Sequence, residues 1–118
     1  DDVDTKLVQA LQQTSKVGHL PFQFDVQNMV QHQGILNLKS FLGLWYSRLF
    51  VLSKYGFLHY FGDDLLVPEG TLQLSKCRIE GAEEPDTFVL TEVNMLLDSH
   101  NVIKCNSKDE MLLWVAEL

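Results

Sequence analysis

The chain has 118 residues, 46% of them apolar, with 16 acidic against 9 basic side chains and a formal charge of −7. That length and apolar content supply one ordinary core and exclude a disordered tract. The charge has the wrong sign for a general nucleic-acid binder and opposes attraction of the whole molecule to an anionic membrane.

Residues 1–33 read as an arm. They hold seven glutamines and few charges after the acidic start. Val3, Leu7 and Leu11, with Val8 and Ala10 beside them, recur at helical spacing; Asp4 or Thr5 is placed to cap this helix and Gly18 to stop it. Pro21 imposes an extended entry to Phe22-Gln23-Phe24, where alternation returns. Val26, Met29 and Val30 are then spaced for one more helical turn before Gly34. The arm either packs its apolar side on the domain, or docks on a partner or carries a membrane anchor lying upstream.

From Gly34 to Phe61 the pattern changes to alternation with glycine punctuation, as a β-meander with one buried face requires. Ile35, Leu36 and Leu38 start a first strand, and Phe41-Leu42-Gly43-Leu44 turn it. Trp45 to Leu52 form a second strand, Ser53 to Gly56 turn the chain again, and Phe57 to Phe61 form a third. Gly62-Asp63-Asp64 make a further turn, after which Pro68 forbids a central strand. Thr71 to Leu74 read as the fourth strand and Lys76 to Glu80 as the fifth, with Cys77 and Ile79 on one face. Gly81 to Asp86 is an acidic loop. Thr87 to Val93 is the sixth strand, Met95 to Asp98 extend or bulge it, His100-Asn101 turn it, and Val102 to Cys105 make the seventh. Ser107-Lys108-Asp109-Glu110 is a capping box: the serine oxygen accepts from the Glu110 amide while the Glu110 side chain reaches back to Ser107. Met111, Trp114, Val115 and Leu118 follow at i, i+3, i+4 and i+7, one apolar stripe on one helix.

This set of elements resembles the pleckstrin homology (PH) domain. The likeness rests on the strand from Gly34 through Leu36 to Lys39, on Trp45-x-x-Arg48-x-Phe50-x-Leu52, on Leu58-x-Tyr60-Phe61, and on the closing helix with its inward tryptophan. It covers residues 34–118 and implies a mainly β fold. Seven antiparallel strands would form a sandwich or barrel capped by a C-terminal α-helix, with residues 1–33 as a partly helical arm. The resemblance also implies a phosphoinositide site in the mouth between the first two strands. That site uses a lysine late in the first strand and a basic-x-Arg pair in the second. Lys39 matches the first position and Arg48 the last, but Tyr46 stands at the middle one; Lys54 in the next turn is the remaining candidate. Three cations near an anionic surface contribute roughly 3 kcal/mol, at about 1 kcal/mol each. That is millimolar-grade binding or weaker. Between Gly34 and Gly70 they are balanced by Asp63, Asp64 and Glu69, so phosphoinositide binding is expected to be weak or absent.

The uncharged first loop is read in two ways. Phe41, Leu42 and Leu44 fold back over the mouth and plug it, or they stand out as a membrane or partner contact together with Leu7 and Leu11. Inserted into a bilayer, each would gain at most about 2 kcal/mol.

Enzymatic readings find no support. His19, His32, His59 and His100 are scattered, Ser53, Ser75 and Ser99 lack a nucleophile context, and no glycine-rich phosphate cradle occurs. No cofactor, metal or nucleic acid is expected. Cys77 and Cys105 have neither metal-type spacing nor a disulfide framework, and are expected as reduced thiols in a cytoplasmic setting. No apolar run approaches the roughly 20 residues of a spanning helix.

The expected function is therefore a non-catalytic scaffold or adaptor that binds an unidentified protein at a membrane. The alternative is a lipid-binding domain that recognises an anionic phospholipid, phosphoinositide or phosphatidic acid, through Lys39, Arg48 and the apolar loop. The fold, helical arm and reduced basic motif are also similar to the inner-membrane-complex sub-compartment proteins of apicomplexan parasites, which are held to membrane by N-terminal acylation. The acylated PH protein of those parasites, a phosphatidic-acid sensor, is the rival likeness. The Gly and Cys that acylation needs do not occur in residues 1–17. The chain opens at Asp1 without a methionine, so peripheral membrane attachment is expected to come from elements upstream of it.

Overall fold

The computed structural model describes residues 29–118. The expected arm helix carrying Val3, Leu7 and Leu11 lies outside these residues. Among the described residues, seven strands form one antiparallel sheet: β1 (Val30–Lys39), β2 (Trp45–Ser53), β3 (Phe57–Phe61), β4 (Gly70–Gln73), β5 (Cys77–Gly81), β6 (Thr87–Glu92) and β7 (Ser99–Lys104). The sheet order is β4-β3-β2-β1-β7-β6-β5, and one helix, α1 (Lys108–Glu117), follows β7. β1 joins β7 through only two residue pairs, Asn37 with Lys104 and Leu38 with Ile103. At this seam the sheet folds over itself, so that the β1–β4 layer faces the β5–β7 layer.

The alternation in β1 and β2 explains what lies between the layers. Register pairs Leu36 with Arg48 and Gly34 with Phe50, which places Leu36, Leu38, Tyr46, Arg48, Phe50 and Leu52 on the inner face. Leu36, Phe50, Leu52, Leu58 and Leu72 from the first layer pack with Phe88, Leu90 and Ile103 from the second, and with Cys105 and Trp114. The expected helical stripe meets this core: Trp114 is buried, and Met111, Val115 and Leu118 pack against it. The Trp114 ring meets His32 edge-on at 4.4 Å.

The expectation of one buried face fails for β2. Leu49 and Val51 point away from the core yet are buried, and with Phe61 they form a second cluster on the outer face of the first layer. Met29, Val30, Ile35 and Leu65 pack against it.

Several boundaries differ from the sequence reading. Val30, expected in a helical turn, opens β1, and the ladder is irregular between Val30 and His32. β4 spans Gly70–Gln73, and Leu74–Lys76 form a 3-10 turn before β5. β6 ends at Glu92, and Met95 to Asp98 neither extend nor bulge it. His100 and Asn101, expected as a turn, lie inside β7. Their polar groups are accommodated within the ladder. Asn101 donates through Nδ2 to the Leu90 carbonyl at 3.1 Å, and His100 Nδ1 meets Thr91 Oγ1 at 3.0 Å. The capping box forms with one change. Ser107 Oγ accepts from the Glu110 amide at 3.1 Å, while Glu110 Oε1 accepts from the backbone of Asn106, at 2.6 Å, rather than from Ser107.

Candidate functional site

The β1–β2 connection is short and closed on itself. Ser40 and Leu44 are joined backbone to backbone at 2.8 Å, and Ser40 Oγ also accepts from the Leu44 amide at 3.2 Å. Gly43 turns the chain with φ of 84°, a left-handed conformation that glycine adopts without a Cβ penalty. Pinned in this way, the tip has no slack to fold back. Phe41, Leu42 and Leu44 are 97%, 71% and 54% exposed, so they stand out rather than plug the mouth.

The β3–β4 connection, Gly62–Glu69, leaves the same end of the first layer, because β2 and β3 run antiparallel. Asp64 Oδ1 accepts from the Leu66 amide at 2.8 Å, and Leu66 and Val67 are exposed. The two connections together contain no lysine or arginine, but three carboxylates, Asp63, Asp64 and Glu69. This end of the molecule is apolar and acidic.

The three predicted cations do not converge. Arg48 lies on the inner face, where its Nε donates to Glu69 Oε1 at 2.9 Å and its Nη1 to the Ser47 carbonyl at 2.8 Å. Its guanidinium also stands 5.3 Å from the Tyr46 ring centroid, so the residue at the motif's middle position holds the existing cation instead of adding a second. Lys39 pairs with Trp45 on the opposite face of the sheet and reaches Glu84 at 3.5 Å. Lys54 sits in the β2–β3 turn at the far end of the layer. Leu7 and Leu11 lie outside the described residues.

A different pair of cations shares one aromatic ring. The Lys39 and Lys104 ammonium groups lie 5.4 and 5.8 Å from the Trp45 ring centroid. Sequence reasoning missed Lys104 because the pairing of Asn37 with Lys104 alone brings it there, across a separation no local pattern reveals. It also missed the β6–β7 connection, where Met95, Leu96 and Leu97 are almost wholly exposed.

Burial, reinforced by Glu110 and Asp86, pushes the Cys105 thiol up to about 12, and burial followed by Glu92 raises that of Cys77. Neither is a ready thiolate at neutral pH. Both cysteines are free, and no group of three metal-ligating side chains occurs among the described residues. No described helix is long and apolar enough to cross a membrane.

The sequence model of the PH domain family matches residues 30–118. No curated protein matches the chain. Among solved structures, the carboxyl-terminal PH domain of pleckstrin superposes with a TM-score of 0.64 at 22% identity, over 75% of this chain and 92% of that one. At that identity the likeness is one of fold. The PH domain of human KIAA0053 protein gives a TM-score of 0.62 at 25% identity, over 75% of this chain and 84% of that one. The Slm1 PH domain, solved in complex with phosphoserine, gives 0.61 at 28%, over 74% and 90%.

Proposed function

The chain belongs to the PH domain family, and from that premise we propose that it is a non-catalytic interaction module. Its working surface is the apolar, acid-rimmed end formed by the β1–β2 and β3–β4 connections. Its partner is a protein that presents an apolar surface with basic surroundings, at a membrane, and its phosphoinositide site is degenerate. One observation carries this reading: the cations that would hold a headgroup are dispersed over two faces and two ends of the first layer, and Arg48 is neutralised by Glu69. Carboxylates at Asp63 and Asp64 repel an anionic bilayer from the end where Phe41 and Leu42 stand out. An apolar contact of this kind is largely insensitive to salt.

The test compares Phe41→Glu with Lys39→Glu in a cellular localisation assay, alongside sedimentation with liposomes carrying single phosphoinositides at physiological salt. Phe41→Glu is expected to displace the protein and Lys39→Glu to leave it in place, with weak sedimentation that shows no headgroup preference. A micromolar preference for one headgroup, lost in Arg48→Ala or Lys39→Ala, would overturn the proposal.

A second reading is favoured by the lysine pair at Trp45. Lys39 and Lys104 flank one ring at the base of an apolar loop, so a phosphate that draws Lys39 from Glu84 would meet both while Phe41 and Leu42 enter the acyl region. The Slm1 domain, with its phosphoserine, supports a phosphorylated ligand by likeness alone. Phosphatidic-acid liposomes decide between the readings, because salt-sensitive binding lost in Lys104→Ala belongs only to the second.

A further inference from the structure

β5 forms one edge of the sheet, and its outward side is open. The Val93 amide donates to the Lys76 carbonyl at 2.8 Å, which fixes the phase of the β5–β6 ladder. In that phase Arg78 and Glu80 turn their backbone groups to β6, while Ile79 and Gly81 turn theirs outward. Among the described residues, Ile79 and Gly81 make no backbone hydrogen bond outside the ladder. Arg78 to Gly81 are all exposed, and the strand has neither a proline nor a register shift to blunt the edge.

An apolar groove runs beside this edge. Register sets Gly81 opposite Phe88 and Ile79 opposite Leu90, so both face the inner side of the second layer. A Cβ added to Gly81 would meet nothing within 4 Å, and through this gap the groove reaches Phe88. Met111, Leu112 and Val115 of α1 complete its lining, around a volume of about 490 Å³. Ile79 and Leu112 present exposed apolar surface there. The rim is acidic: Glu80, Glu83, Glu84 and Asp86 line it against one ammonium, that of Lys108. Arg78 engages Glu80 and Lys39 engages Glu84, but Glu83 and Asp86 enter no ion pair among the described residues.

We propose that this edge and groove receive an extended, basic segment of a partner protein, which pairs with β5 as an added strand. Its backbone bonds Ile79 and Gly81, alternate apolar side chains enter beside Gly81 and Leu112, and its lysines or arginines meet Glu83 and Asp86. Backbone pairing supplies affinity in such a complex, and the groove supplies sequence preference. A second copy of this chain is a poor occupant, because pairing β5 with β5 brings two acidic rims together. The site is separate from the β1–β2 and β3–β4 end, and holds whether or not that end is the working surface.

The probe is a fluorescent peptide of about eight residues that alternates arginine with valine or leucine. The parent is expected to bind it, with amide hydrogen exchange slowed roughly tenfold at Ile79 and Gly81 and little changed at Arg78 and Glu80. N-methylation of alternate peptide residues should abolish binding in one phase and spare it in the other, because every second N–H of an added strand faces β5. Gly81→Val, which fills the groove, and Leu112→Glu should each weaken binding roughly tenfold. Leu113→Glu, on the same helix but outside the groove, should not, and the near-UV signature of Trp114 checks that each variant is folded. A parent that does not bind the peptide overturns the proposal. Equal binding in the two N-methyl phases, or parent affinity in Leu112→Glu, shows a peptide held by charge alone and overturns it too. A dimer in sedimentation that Gly81→Val disperses makes a second copy the occupant, and overturns it equally.

Discussion

A Cβ added to Gly70 would lie 2.2 Å from the ring and hydroxyl of Tyr60, its partner across the β3–β4 ladder. Gly70→Ala therefore overpacks the inner face and is expected to cost about 1–3 kcal/mol. Urea unfolding should show the loss, and Gly70→Ala in a Tyr60→Leu background should recover most of it. His59, on the outer face, bonds Thr71 Oγ1 at 2.7 Å, and burial lowers its pKa from 6.5 to about 4. The unfolded chain thus binds a proton that the fold resists. The stabilising effect of keeping His59 neutral is complete above pH 6.5 and is lost as the pH falls towards 4. The urea midpoint of the parent should fall relative to His59→Gln across that window; a constant difference between the two would contradict it. Residue identity alone did not reveal such effects. Lys39 and Arg48 were legible as cations, but whether they meet depends on the parity of their register, and an odd offset sends them to opposite faces.

The elements were legible where the chain carries its own punctuation. β3 has the bounds that its turn residues predict, and Ser107 caps α1 as its spacing to Glu110 implies. Legibility failed where tertiary bonds override local preference. Asn101 reads as a turn residue, but its carboxamide is consumed by Leu90 and the strand runs through it. Burial on both faces of β2 was equally invisible, since a continuous apolar run does not say what covers it. For α1, the consequence of burial is direct. Trp114 is 1% exposed and joins both layers, so Trp114→Ala should cost about 3–5 kcal/mol, enough to unfold a domain of ordinary stability. A thermal melt within a few degrees of the parent would show that the helix does not close the core.

At the scale of the whole molecule, the two residue pairs between β1 and β7 set the order in which the domain can be completed. On a ribosome, β1 to β3 emerge first and can pair as local hairpins, but Leu36 and Phe50 have no opposing layer until Phe88, Leu90 and Ile103 have been made. The seam, and Trp114 behind it, come last. During synthesis the growing chain therefore presents an uncovered apolar sheet for most of its length, which is the interval in which chaperones would hold it. Stalled nascent chains that end before Ser99 should be cut readily by protease. Chains whose Leu118 has cleared the exit tunnel should resist, with the change falling in one step as β7 and α1 arrive together.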